Sequence, residues 1–106
     1  MADFNSAIVF SRDSDSLLIL FIDKNEGMEK NRIGISVSKK VGNSVIRHTL
    51  TRRIREIFRQ TENKMKKNYD LIVSCKEKAK EVDFNTLKES FINLCRKQQI
   101  FEDSDK

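Results

Sequence analysis

Between Lys39 and Lys67 the chain concentrates ten basic side chains: Lys39, Lys40, Arg47, Arg52, Arg53, Arg55, Arg59, Lys64, Lys66 and Lys67. Only Glu56 and Glu62 oppose them, so this segment carries +8 while the whole chain carries +5 and the remainder −3. Such an asymmetry suits a polyanionic partner, because each phosphate neutralised by Lys or Arg releases counterions and adds affinity. Arg offers a planar multi-donor fork to phosphate and Lys a point charge. An anionic membrane surface would also attract these cations, but it requires a bulky exposed apolar face. The apolar residues interleaved here are needed for a core.

Self-contained catalysis requires convergent groups, and few are present. His48 is the one histidine. Within a basic segment it suits a nucleic-acid contact better than a general base. The HxxxH and GxSxG patterns and a glycine-rich phosphate cradle are missing, and Gly42 ahead of a helix is a weak anion signal on its own. Asp13 and Asp15 read as turn residues rather than a metal pair. Cys75 and Cys95, 20 residues apart and without a CxxC spacing, read as buried thiols in a reducing compartment, which points to the cytoplasm. The residues therefore describe a binding protein and not a self-sufficient catalyst.

The 106 residues suffice for one domain, 1–106, with a frayed polar tail over about 102–106. No apolar run approaches the roughly 18 residues of a membrane span, and no signal-peptide pattern is expected at Met1. Asp3 is expected to cap a helix from Phe4 to about Arg12, with Phe4 and Ile8 on one face. Asp13–Ser16 reads as a turn. Leu17–Ile22 reads as a strand covered on both faces, and Lys24–Gly27 as a turn with Gly27 at positive φ. Ile33, Ile35 and Val37 alternate with Gly34, Ser36 and Ser38, a strand with one apolar face and one small face that a partner can approach closely.

The basic loop Lys39–Ser44, capped by Asn43 or Ser44, leads into a helix that runs to the low sixties. Ile46, Leu50, Ile54, Ile57 and Phe58 span an apolar arc of about 140°. Arg47, His48, Thr51, Arg52, Arg55 and Arg59 are expected opposite, with no run of Glu four residues upstream to pair with them, and Arg53 at the edge of the apolar arc. Tyr69–Ser74 reads as a short buried strand and Lys76–Glu81 as a charged loop. Asp83 caps a last helix, with Val82 and Leu87 as a hydrophobic staple and Phe84, Leu87, Phe91, Leu94 and Cys95 as its buried stripe. The order helix, strand, strand, helix, strand, helix indicates an α+β fold: a two-layer α/β sandwich with helices on a sheet of three to four strands.

The string Gly34-Ile35-Ser36-Val37-Ser38-Lys39-Lys40-Val41-Gly42-Asn43-Ser44-Val45-Ile46-Arg47, continuing through Arg52, Ile54, Arg55 and Phe58, resembles the bacterial ribonuclease P protein family. The likeness extends more loosely to Asp3-Phe4, Tyr69-Asp70 and Leu94 to Phe101, and so covers nearly the whole chain. It implies a ribosomal-protein-like sandwich with a left-handed βαβ crossover, against the usual right-handed preference. It implies an accessory subunit that binds a catalytic RNA and the single-stranded 5′ leader of precursor tRNA, while the RNA performs the endonucleolytic cut. Mg²⁺ would be held mainly by that RNA and none by the protein alone. The implied partners are the ribonuclease P RNA and precursor tRNA, one protein per RNA, with no membrane and no DNA. Carried onto this chain, the RNA-facing set is Lys39, Lys40, Asn43, Arg47, His48, Arg52, Arg55 and Arg59. The leader cleft, between the first helix and the sheet, falls on Phe4, Ile8, Ile19, Phe21 and Phe101, whose apolar and aromatic faces suit unstacked bases.

The chain departs from the family's pattern in its helix, which reads Arg47-His48-Thr49 where Arg-Asn-Arg is usual, and at Thr51, where a basic residue is usual. Met1-Ala2 stand where a basic segment usually precedes the first helix. With a net charge of only +5, weaker and more salt-sensitive RNA binding is expected. A ribosomal-type RNA-binding or assembly module without an enzymatic partner would share these features. A DNA reader using Ser44–Gln60 in the major groove has no sign of a dimer with spaced half-sites.

Overall fold

Four short segments pair into one sheet, and three of them have the alternation of a half-buried strand. The computed structural model describes residues 11–25, 27 and 29–101. Its strands are β1 (Ser11–Ser14), β2 (Leu18–Lys24), β3 (Arg32–Ser36) and β4 (Tyr69–Cys75), in the order β1-β2-β4-β3. The helices among the described residues are α1 (Ser44–Thr61) and α2 (Phe84–Lys97). β2 runs antiparallel to both β1 and β4, whereas β3 and β4 are parallel. A parallel pair needs a long crossover, and here α1 supplies it, so β3, α1 and β4 form a βαβ unit.

Register assigns each strand residue to a face, because directly paired residues point the same way. Leu18, Leu20 and Ile22 of β2 pair with Cys75, Val73 and Leu71 of β4. All six are buried, and Ile33 and Ile35 of β3 pack beside them. Leu50, Ile54, Ile57 and Phe58 of α1 cover this face together with Leu87, Phe91, Leu94 and Cys95 of α2. Burying a side chain of this size contributes about 1.5–3 kcal/mol, so this one layer holds the fold.

The structure corrects the sequence reading at three places. Ser11 and Arg12 are not helical; they open β1, because Ser11–Ser14 find partners in Ile19–Ile22 and that pairing overrides a weak helix pattern. Asp15 closes this hairpin, accepting hydrogen bonds from the Leu17 and Leu18 amides at 2.8 and 2.9 Å and from Ser90 Oγ of α2 at 2.5 Å. Burial alone would raise its pKa, but the Ser90 hydroxyl, the two amides and Lys76 bring it below the usual carboxylate value. Second, β2 is not buried on both faces: Ile19 and Phe21 are half-buried on the side away from α1 and α2. Third, β4 is buried on one face only, since Ile72 is 46% exposed. The part of the expected first helix over residues 4–10 and the expected frayed tail lie outside the described residues.

Other local signals hold. Gly27 has φ +99°. Asn43 caps α1, accepting from the Ile46 amide at 3.0 Å, and Asp83 caps α2, accepting from the Thr86 amide at 2.9 Å. The charged segment after β4 winds into a 3₁₀ turn, Glu77–Glu81, anchored by buried Ala79. Cys75 and Cys95 are buried free thiols, and burial pushes their pKa values up to about 11 and about 12. Asn31 was not anticipated. It is buried, donates to the Lys66 carbonyl at 2.9 Å and accepts from the Tyr69 amide at 2.9 Å, so it locks the entry to β3 against the entry to β4.

Candidate nucleic-acid interface

The buried stripe of α1 fixes what its other side can present. His48, Arg52, Arg55 and Arg59 recur at intervals of four, three and four residues, which aligns them within about 60° on the helix surface. All four are exposed. Among the described residues, no hydrogen bond or ion pair engages the side chains of His48, Arg52 or Arg55, nor those of Lys39 and Lys40, exposed in the loop between β3 and α1. Val45 stands on the same side of α1 and is 71% exposed. Lys39, Lys40, Arg52 and Arg55, with His48 beside them, make an unneutralised cationic ridge from the loop along the helix.

The remaining expected contacts are placed differently. Arg59 is paired: its Nε and Nη2 lie 3.0 and 2.6 Å from the Glu56 carboxylate, which also accepts from Gln60. These bonds, Arg59 first, lower the Glu56 pKa. The pair spans three residues, so the absence of Glu four residues upstream did not predict it. Arg47 is not opposite the apolar arc; it is half-buried on its flank, with Nε donating to the Gly42 carbonyl at 3.2 Å. Asn43 is exposed, with its carboxamide oxygen committed to the cap. Arg53, half-buried, donates from Nη1 to the Val82 carbonyl at 3.3 Å and ties α1 to the start of α2. Gly42 is held to its type by contact: a Cβ there would fall 2.8–3.0 Å from Ile46, so a larger residue would displace the loop that presents Lys39 and Lys40.

The second face of the sheet is the other candidate surface. Its central row, read across the strands, is Arg12, Phe21, Ile72 and Gly34. The Arg12 guanidinium lies 5.9 Å from the Phe21 ring centroid, a cation over an aromatic face. One neighbouring row is Ser14, Ile19, Ser74 and Ser36, at the end where β3 leads into the basic loop; the other is Asp23, Asp70 and Arg32. An apolar centre edged by hydroxyls and continuous with a cationic loop offers stacking and phosphate contacts together. Ile19 and Phe21 are thus brought together. Phe101 is not with them: it bridges Met65 and packs against the helix-side core. Phe4 and Ile8 lie outside the described residues.

Comparison with known proteins decides between the readings that this geometry leaves open. The model of the family described as Ribonuclease P matches residues 2–99. The chain belongs to the ribonuclease P protein family. Among its relatives, the ribonuclease P protein component of Clostridium botulinum strain Langeland is 42% identical over 89 residues, covering 83% of this chain and 79% of that protein. That of Caldanaerobacter subterraneus subsp. tengcongensis is 39% identical over 80 residues, covering 76% and 69%. The solved RNase P protein of Staphylococcus aureus superposes with a TM-score of 0.82 at 27% identity, over 95% of this chain and 93% of that one. The Thermotoga maritima RNase P protein gives 0.76 at 33% identity, over 90% and 91%.

Membership of the ribonuclease P family sets aside the free-standing ribosomal-type module and agrees with the mixed sheet and its two described helices. Three residues of the candidate surfaces escaped the sequence reading. Ile72 was visible in principle: it alternates with Leu71 and Val73, which a period-two reading separates. Arg12 was hidden by the helix assignment. Val45 was hidden by reading the exposed side of α1 for charge alone.

Proposed function

We propose that the chain is the accessory protein of a ribonuclease P ribonucleoprotein, gripping the catalytic RNA with the cationic ridge and the 5′ leader of precursor tRNA with the second sheet face. The observation that carries this reading is the ridge itself, where His48, Arg52, Arg55, Lys39 and Lys40 stand exposed with no acidic partner among the described residues. The unpaired Arg52 and Arg55 guanidinium groups at helical spacing on a rigid element, with the two loop lysines ahead of them, suit a phosphate backbone. Phe21, Ile72 and Ile19 provide a surface that accepts unstacked bases without reading sequence. Arg47 acts by holding the loop as much as by touching RNA, and Arg59 contributes less because Glu56 neutralises it.

Hydrolysis in this reading belongs to the RNA, where Mg²⁺ held mainly by that RNA would supply metal-assisted phosphodiester chemistry. Among the described residues no group of three His, Cys, Asp or Glu side chains is arranged to hold a metal. The protein works in the cytoplasm, one copy per RNA, without a membrane or DNA partner. No helix of the described residues is long and apolar enough to cross a membrane.

The test is single-turnover cleavage of precursor tRNA by a bacterial ribonuclease P RNA at low Mg²⁺. The protein should restore cleavage when added and show none alone. RNA binding without rescue would refute the accessory role.

A further inference from the structure

Between the cationic ridge and α2 lies a concavity of about 510 Å³ lined by Thr49, Arg52, Arg53, Glu56 and Phe84. Its size falls within the roughly 300–1,000 Å³ of clefts that hold small ligands. Most of its lining is already committed within the protein. Arg53 is tied to the Val82 carbonyl, Glu56 takes hydrogen bonds from Arg59 and Gln60, and the Thr49 hydroxyl donates to the Val45 carbonyl at 2.9 Å. Two groups still face a ligand: the Arg52 guanidinium, exposed and unengaged among the described residues, and the accessible part of Phe84, whose half-buried ring also packs against the core.

A guanidinium beside an aromatic wall, on a surface that already follows a phosphate backbone, matches the two ends of a nucleotide. We infer that the concavity receives one unstacked nucleotide of the RNA partner, its phosphate on Arg52 and its base against Phe84. The inference rests on the RNA-binding function proposed above and adds a point where a base is held as well as backbone. The site is continuous with the ridge because Arg52 belongs to both. The ionised Glu56 repels a phosphate and so confines it to the Arg52 side, directing the base toward α2. Exposed Val45, one turn ahead of Thr49, provides an apolar approach.

The experiment measures binding of the full chain to a bacterial ribonuclease P RNA transcript across a KCl series, with chemical probing of base reactivity in the same complexes. Wild-type protein should protect one base that is reactive in free RNA. Phe84→Leu should expose that base and weaken binding about tenfold at every salt concentration, since the base loses its stacking partner. Phe84→Tyr keeps the ring and should retain both protection and affinity. Arg52→Gln should lower the salt slope by about one. If Phe84→Leu lowers the unfolding midpoint, Thr49→Phe fills the concavity from an exposed position and should remove the same protection. Unchanged affinity and protection in Phe84→Leu or Thr49→Phe, with wild-type binding intact, overturns the nucleotide site alone. Failure of the wild-type protein to bind RNA overturns the proposed function together with it.

Discussion

Arg32 and Asp70 face each other across the parallel pair β3–β4, with Arg32 Nε and Nη2 each 2.8 Å from a different carboxylate oxygen. Asn25 adds a third hydrogen bond to the same carboxylate at 2.6 Å. Arg32 first and Asn25 second bring the Asp70 pKa down to about 2. A carboxylate with a depressed folded pKa stabilises the protein above its unfolded pKa, and that contribution fades as pH falls from about 4 to about 2. The pair is solvent-exposed and screened, so titration reports it better than stability does. NMR titration of the Asp70 carboxyl should give a value near 2 in wild type. In Arg32→Ala it should rise, stopping short of 3.8 because Asn25 remains. No movement would show that the guanidinium is not what holds the carboxylate ionised.

The ridge and its paired neighbour should separate in salt dependence. Arg52→Ala or Arg55→Ala is expected to reduce the slope of log affinity against log salt by about one each. Arg59→Ala should change it less, because Glu56 already holds that charge at 2.6 Å. Glu56→Gln should steepen the slope by releasing Arg59. Equal slopes for all three arginine variants would refute the distinction.

Asn31 should matter for stability without touching RNA. Asn31→Ala removes partners from the Lys66 carbonyl and the Tyr69 amide at once. Leaving buried polar groups unpaired costs about 1–3 kcal/mol each. Both hydrogen bonds are part-buried, so urea unfolding should show a combined loss of at least about 1 kcal/mol, with the salt slope for RNA unchanged.

Leu71 and Ile72 are adjacent in sequence and lie on opposite faces of β4. Leu71→Ala should cost about 2–5 kcal/mol of stability, as a cavity in the core does. Ile72→Ala should cost little stability and weaken leader-bearing precursor more than mature tRNA. Phe21→Ala should do the same, by about 1–3 kcal/mol if a base stacks there. Equal losses for precursor and mature tRNA would assign Phe21 to packing alone.

What was legible in the sequence was what a short window encodes. The length and cap of α1, the Asp83 cap, the two faces of β3 and the turn at Gly27 follow from side-chain chemistry and periodicity within a few residues. What was not legible depends on distant partners. Ser11–Ser14 form a strand because β2 is there to pair with them, and nothing in four polar residues announces it. Phe101 goes to Met65 rather than to the cleft because the turn after α1 meets the end of α2, where the Lys66 amide also bonds the Ile100 carbonyl at 2.7 Å. Asn31 resembles any loop asparagine until the Tyr69 amide is placed beside it. At the candidate site, helical spacing places His48, Arg52, Arg55 and Arg59 on one exposed side of α1, and the division into engaged and unengaged side chains required coordinates.

The two thiols give the folded state a built-in clock. With pKa values pushed up to about 11 and about 12, Cys75 and Cys95 expose almost no nucleophilic sulfur at neutral pH while the core is closed. An alkylating reagent therefore counts openings of the sheet–helix layer, one thiol timing the end of β4 and the other the last turn of α2. Any partner that clamps α1 should slow both clocks together, and one that occupies only the second sheet face should slow Cys75 more than Cys95.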